Sequence, residues 1–187
     1  MRPSTLLSLP LAAFAATAHG RTTTTTTNSP SLPSSHSKAH LSCLCEDEAW
    51  SIARRWLAIF DTPLTSTKAE LAAVVAPNVT SYDDTFGPPT LNIDQLWDAI
   101  ITPQNATTTN STQTPTFLLH SCDQIAYNWQ HTAVTTGYNS TVPAGTPVSF
   151  TGNDILRVDL KTRLISNATS CGDWILLSRQ LGNSANI

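Results

Sequence analysis

The sequence predicts an α+β fold in which three N-terminal helices pack on a strongly curved antiparallel β-sheet. Two periodicities and their order predict it. Apolar residues recur at helical spacing in the first part of the foldable region and at alternate positions in the second. Helical segments followed by a run of strands give α+β order, not the alternation of a parallel sheet.

The first helix is marked by Glu46, Asp47 and Glu48, which put negative charge where the helix dipole favours it. Ala49, Ile52, Ala53, Trp56, Leu57 and Phe60 then share one face, and Pro63 ends the segment. Thr67-Lys68-Ala69-Glu70 reads as a capping box for a short second helix with Leu71, Val74 and Val75 inward, stopped by Pro77. Val79 to Thr85 reads as a strand and Gly87-Pro88-Pro89 as a turn. Asn92 to Ile101 is the third helix, with Ile93, Leu96, Trp97 and Ile100 inward. Thr102 to Thr114 is polar and reads as a loop. Strands are expected at Thr116–His120, Gln124–Thr136, Val148–Leu160 and Trp174–Leu181.

The chain has 187 residues, the length of one domain. Arg2, the apolar run Leu6–Ala16 and the small residues Ala16-Thr17-Ala18 read as a secretory signal over 1–20. The run is far short of the ~20 residues of a membrane-spanning helix. Residues 21–42 carry Thr22 to Thr27 with Ser and Pro and no apolar periodicity, as in a disordered, O-glycosylated leader, spacer or wall tether. The domain is expected over 43–187. Charged residues make up 12% of the chain against a typical ~25%, the net charge is −3, and no basic run occurs. That argues against nucleic acid and anionic membrane as partners.

Export predicts covalent decoration. Asn78, Asn105, Asn110, Asn139 and Asn167 head Asn-x-Ser/Thr sequons. Cys43, Cys45, Cys122 and Cys171 make an even count, which suggests disulfides in an oxidising compartment. Cys43 and Cys45 are too close for an easy mutual bond, so each is expected to reach Cys122 or Cys171, in either of two pairings. No metal site is expected, since no CxxC occurs, and no cofactor motif is present.

Candidate chemistry rests on polar residues at inward positions. Asp154 falls in the apolar set Val148, Phe150, Gly152, Leu156 and Val158 of its strand. An acid there is costly unless paired or functional. His131 shares a face with Ile125, Tyr127, Trp129 and Ala133, and His120 shares parity with Thr116 and Leu118. Trp56, Trp97, Trp129, Asn128 and His120 are the candidate pocket residues.

Three stretches carry a family resemblance. Ala76-Pro77-Asn78-Val79-Thr80-Ser81-Tyr82-Asp83-Asp84-Thr85-Phe86-Gly87 resembles the strand after the second helix in ketosteroid-isomerase-like proteins. Phe150-Thr151-Gly152-Asn153-Asp154-Ile155-Leu156-Arg157-Val158 resembles their penultimate strand, and Gln124-Ile125-Ala126-Tyr127-Asn128-Trp129 the strand before it, notably in secreted fungal members. The order resembles the nuclear transport factor 2-like superfamily over about 43–181. The resemblance implies a cone-shaped half-barrel with an apolar pocket. By that pattern Asp84, or Asp83 beside it, matches a proton-shuttling base, and Tyr82 could donate to a developing oxyanion. A His131–Asp154 pair would resemble the His/Asp arrangement of the superfamily's dehydratases. The superfamily holds both catalysts and non-catalytic binders, so the fold does not select the function. The first expectation is a secreted binder of a small hydrophobic molecule or partner; the other is a cofactor-independent isomerase or dehydratase. The resemblance also implies a homodimer through the open sheet face.

Overall fold

A computed structural model describes residues 42–62, 66–83, 87–101 and 106–183, all within the compact unit Ala39–Ile187. The expected signal segment, nearly all of the Thr-rich leader, Asp84 and Asn105 lie outside the described residues.

Helix α1 (Glu46–Ala58) buries Ala49, Ile52, Ala53, Trp56 and Leu57 along the predicted stripe. Helix α2 (Lys68–Ala72) begins with the expected capping box: the Glu70 N–H donates to Thr67 Oγ1, and the Thr67 N–H donates to the Glu70 carboxylate. Strand β1 (Val75–Asp83) follows, then α3 (Ile93–Ile101). A Lys68–Asp94 ion pair of 2.6 Å joins α2 to α3 on the surface.

Four strands follow: β2 (Thr108–His120), β3 (Gln124–Thr135), β4 (Pro147–Asp159) and β5 (Leu164–Gly172). The order across the sheet is β1-β5-β4-β3-β2. The β2–β3, β3–β4 and β4–β5 pairs are antiparallel, but β1 runs parallel to β5. The sheet is therefore mixed, not purely antiparallel as expected. Pro77 and Pro115 sit on the two edge strands, where a missing N–H breaks no interior ladder, and register shifts fall beside them. β2 also begins inside the expected loop, at Thr108.

The C-terminus differs most. Trp174–Gln180 is helix α4, not a strand. Asp173 caps it by accepting from the Leu176 N–H at 2.9 Å. Trp174, Leu177 and Leu181 are the side chains of this segment that meet the core, a three-to-four spacing that suits a helix. The fourth antiparallel strand is instead β5, whose polar sequence hid it.

The core lies between the helices and the inner sheet face. It contains Trp56, Leu57, Ile125, Trp129, Phe150, Leu156 and Ile165. Cys43–Cys122 is a disulfide that pins the start of the domain to the β2–β3 turn, beside a Leu44 N–H to Cys122 C=O bond of 2.9 Å. Cys45 and Cys171 are exposed and carry no disulfide, so one bridge stands where two were expected. No helix among the described residues is long and apolar enough to cross a membrane.

Candidate functional site

β4 alternates strictly, with Val148, Phe150, Gly152, Asp154, Leu156 and Val158 buried between more exposed neighbours. Asp154 therefore points inward, as its parity predicted, and is only 2% exposed. Register then decides what meets it. Tyr127 of β3 and Ser170 of β5 are its cross-strand partners, and Trp129 lies two residues along β3 on the same face.

Four side chains donate to this carboxylate. Trp56 Nε1 from α1 and the Tyr127 hydroxyl reach Oδ2 at 2.9 and 2.7 Å. Trp129 Nε1 reaches Oδ1 at 2.8 Å, and the Ser170 side chain adds a further bond. Burial pushes the Asp154 pKa up, while the bonds from Tyr127, Trp129, Ser170 and Trp56 pull it back. The donor set favours the ionised form. An indole N–H can only donate, and each oxygen faces one, so an added proton would meet a donor. A carboxylate offers about four acceptor sites, and here they are filled. The same contact acts on Tyr127, whose hydroxyl is held protonated by burial, then by the Asp154 charge and hydrogen bond.

Rings fill the space beside this hub. Trp129 meets Phe150 edge-on at 5.7 Å between centroids, and Phe150 contacts Trp174 at 4.9 Å. A Cβ at Gly152 would strike the Trp129 indole, so glycine lets that ring lie against β4.

His131 follows Trp129 on the inner face and lies over Phe150 at 4.6 Å. It is 8% exposed and neither ring nitrogen has a hydrogen-bond partner. Burial lowers its pKa, which keeps the ring neutral. The expected His131–Asp154 pair does not form. His131 is in register with Phe150, four residues from Asp154 along β4, or about 13 Å.

A second partly buried acid, Asp61, is tied to the strand beside His131. Asp61, just past α1, accepts the Gln113 N–H at 3.0 Å, and Gln113 is the β2 partner of His131. Burial pushes the Asp61 pKa up, and the Gln113 bond opposes it. Thr62 and Ser111 stitch the same end of α1 to β2 through bonds of 2.8 to 3.0 Å. The only sequence signal for Asp61 was its place one residue after Phe60, at the helix end.

The other candidates scatter. Trp56 and Trp129 are in the hub, and Trp97 packs at the core margin. Asn128 and His120 are exposed and line shallow depressions on the outer sheet face, not an interior pocket; Asn128 bonds Asn153 there. Tyr82 is exposed on that outer face, in register with Thr169, so it does not face Asp154. The two depressions, of about 240 and 220 Å³, share Leu119, Ala126 and Ile155. Among the described residues no cluster of three His, Cys, Asp or Glu side chains could hold a metal ion.

A family model described as NTF2-like domain matches residues 42–184. No curated protein matches the chain. Among solved structures, a protein from Jannaschia sp. CCS1 described as a SnoaL-like polyketide cyclase superposes with a TM-score of 0.60 at 9% identity, over 82% of this chain and 100% of that one. TsrD from Streptomyces laurentii gives 0.57 at 18% identity, over 74% and 98%. PrhC from Penicillium brasilianum gives 0.52 at 14%, over 72% and 85%. At these identities the likeness concerns the fold alone.

Proposed function

The chain belongs to the NTF2-like domain family, and from that premise we propose that it is an exported, glycosylated binding protein for a small hydrophobic ligand or partner, without catalysis. One observation carries the non-catalytic part. The buried acid, Asp154, has its lone pairs occupied by Trp56, Tyr127, Trp129 and Ser170. A general base needs a free lone pair within reach of the substrate proton. Asp154 instead acts as a buried polar knot joining α1 to β3, β4 and β5. Export is supported by the N-terminal sequence pattern, the sequons and the Cys43–Cys122 bridge.

A second reading draws on His131. Two unpartnered nitrogens on a ring 8% exposed are costly unless something satisfies them. A bound molecule with a hydroxyl or carbonyl beside an apolar body would do so, and the neutral ring could then exchange a proton with it.

The two readings separate in one experiment. The secreted protein is analysed by native mass spectrometry for a co-purified small molecule, which is then released and returned to the protein. Recovery of the molecule unchanged, with histidine ring signals shifted on binding, supports the binder. Conversion to a product that stops in His131→Phe would overturn it.

A further inference from the structure

The outer face of the sheet carries an apolar row that crosses all five strands: Leu119, Ala126, Ile155, Thr169 and Tyr82, in register from β2 to β1. Leu119 is 62% exposed and Ile155 53%, with Phe117 exposed beside them. At strand spacing the row is about 19 Å long. An exposed, mostly apolar stripe on a sheet face invites pairing with another copy.

One chemical group is placed to cover it. Asn167 and Thr169, the first and third residues of a sequon, both project from this outer face. Thr169 stands in the row itself, between Ile155 and Tyr82. Asn167 lies in the next row, between Arg157 and Thr80, with Ile155 and Tyr82 as its diagonal neighbours about 7–8 Å away. Its Nδ2 donates to Thr80 Oγ1 at 2.7 Å, which fixes the amide against β1. After glycosylation this nitrogen keeps one N–H, so the bond to Thr80 can persist and orient the first sugar.

We propose that an N-linked glycan on Asn167 covers the apolar outer face and keeps the domain monomeric. The proposal rests on the export reading. In the transfer, Nδ2 of Asn167 forms a bond to the sugar C1 of a lipid-linked oligosaccharide. The C1–O bond to the lipid diphosphate breaks, the diphosphate leaves, and Nδ2 loses one proton. The C–H faces of the first sugars then lie against Ile155 and the Tyr82 ring, and their hydroxyls face water. A second copy cannot seat on the same row.

The full chain is made in a eukaryotic secretory host, and occupied asparagines are mapped by enzymatic deglycosylation in heavy-oxygen water with peptide mass spectrometry. Asn167 is expected to be occupied in most molecules, and light scattering is expected to give a monomer. Thr169→Ala removes the sequon but keeps the Asn167–Thr80 bond, so it tests the cover gently. Its apparent mass should double, and adding Leu119→Asp should return it to a monomer. Asn167 bare while Asn110 or Asn139 carries sugar overturns the proposal and leaves export standing. All sequons bare overturns both. A Thr169→Ala protein that stays monomeric overturns the covering role.

Discussion

The indole N–H of Trp56 in α1 donates to Oδ2 of Asp154 in β4 at 2.9 Å, across 98 residues of chain. The first helix is thus fastened to the middle of the sheet by a charge-assisted bond in a dry interior, where such bonds are strong and their loss is expensive.

Asp154→Asn should therefore act on stability. The amide would turn its NH2 group toward the indole N–H of either Trp56 or Trp129 and leave that donor unsatisfied. A loss of about 3 kcal/mol is expected in urea unfolding. Trp56→Phe keeps a ring in place but deletes one donor, and should cost about 1–2 kcal/mol. An Asp154→Asn protein as stable as the parent would show that the knot is not structural.

A glycine controls the same region. In Gly152→Ala the new Cβ would collide with the Trp129 ring and lie 2.6 Å from the Cys171 carbonyl oxygen. Backbone cannot retreat as a flexible side chain can, so a loss of about 2–3 kcal/mol is expected, with a change in tryptophan fluorescence.

Acid should weaken the fold through His131. Burial lowers its folded-state pKa below 6.5, so the unfolded chain takes up the proton first. The stability given by the neutral ring is full above 6.5 and falls as pH drops toward the lowered value. Asp61 works in the opposite sense, because a raised carboxyl favours the fold as pH falls through its raised value toward 3.8. Melting temperatures between pH 7 and about 5.5 should fall in the parent and stay flatter in His131→Phe, which keeps the stack on Phe150.

Thiol chemistry should report one bridge. Two thiols, Cys45 and Cys171, should react with a thiol reagent before reduction and four afterwards. A paired Cys43→Ser, Cys122→Ser variant releases a crosslink spanning a sequence separation of 79 and should lose about 4.5 kcal/mol in the chain-entropy account.

Elements whose side chains alternate or recur over ten or more residues could be read directly from the sequence. α1, the capping box at Thr67 and the inward set of β4 followed from spacing alone, and Asp154 was found because an acid interrupts an apolar face. The sequence Trp174-Ile175-Leu176-Leu177 suits a strand as well as a helix; only the Asp173 cap and the Trp174, Leu177, Leu181 spacing decide for α4. β5 carries little strand signal, because Ile165 and Ala168 are its only buried positions in a polar run. The partners of Asp154 could not be read, since they are fixed by cross-strand register, and register is a property of pairs. His131 and Asp154 share parity with apolar neighbours, yet four residues of offset keep them apart.

The parallel pairing of β1 with β5 has a consequence for how the chain is made. β1 is an edge strand whose sheet neighbour is β5, and the Asn167–Thr80 bond between them spans 87 residues. As the chain emerges from its N-terminus, β1 waits without its ladder while β2, β3 and β4 are threaded out. Cys122 emerges before β5 does, so the Cys43 crosslink can close while this edge is still bare. A product ending short of Leu164 would leave β1 and β4 with open edges and Asp154 without Ser170.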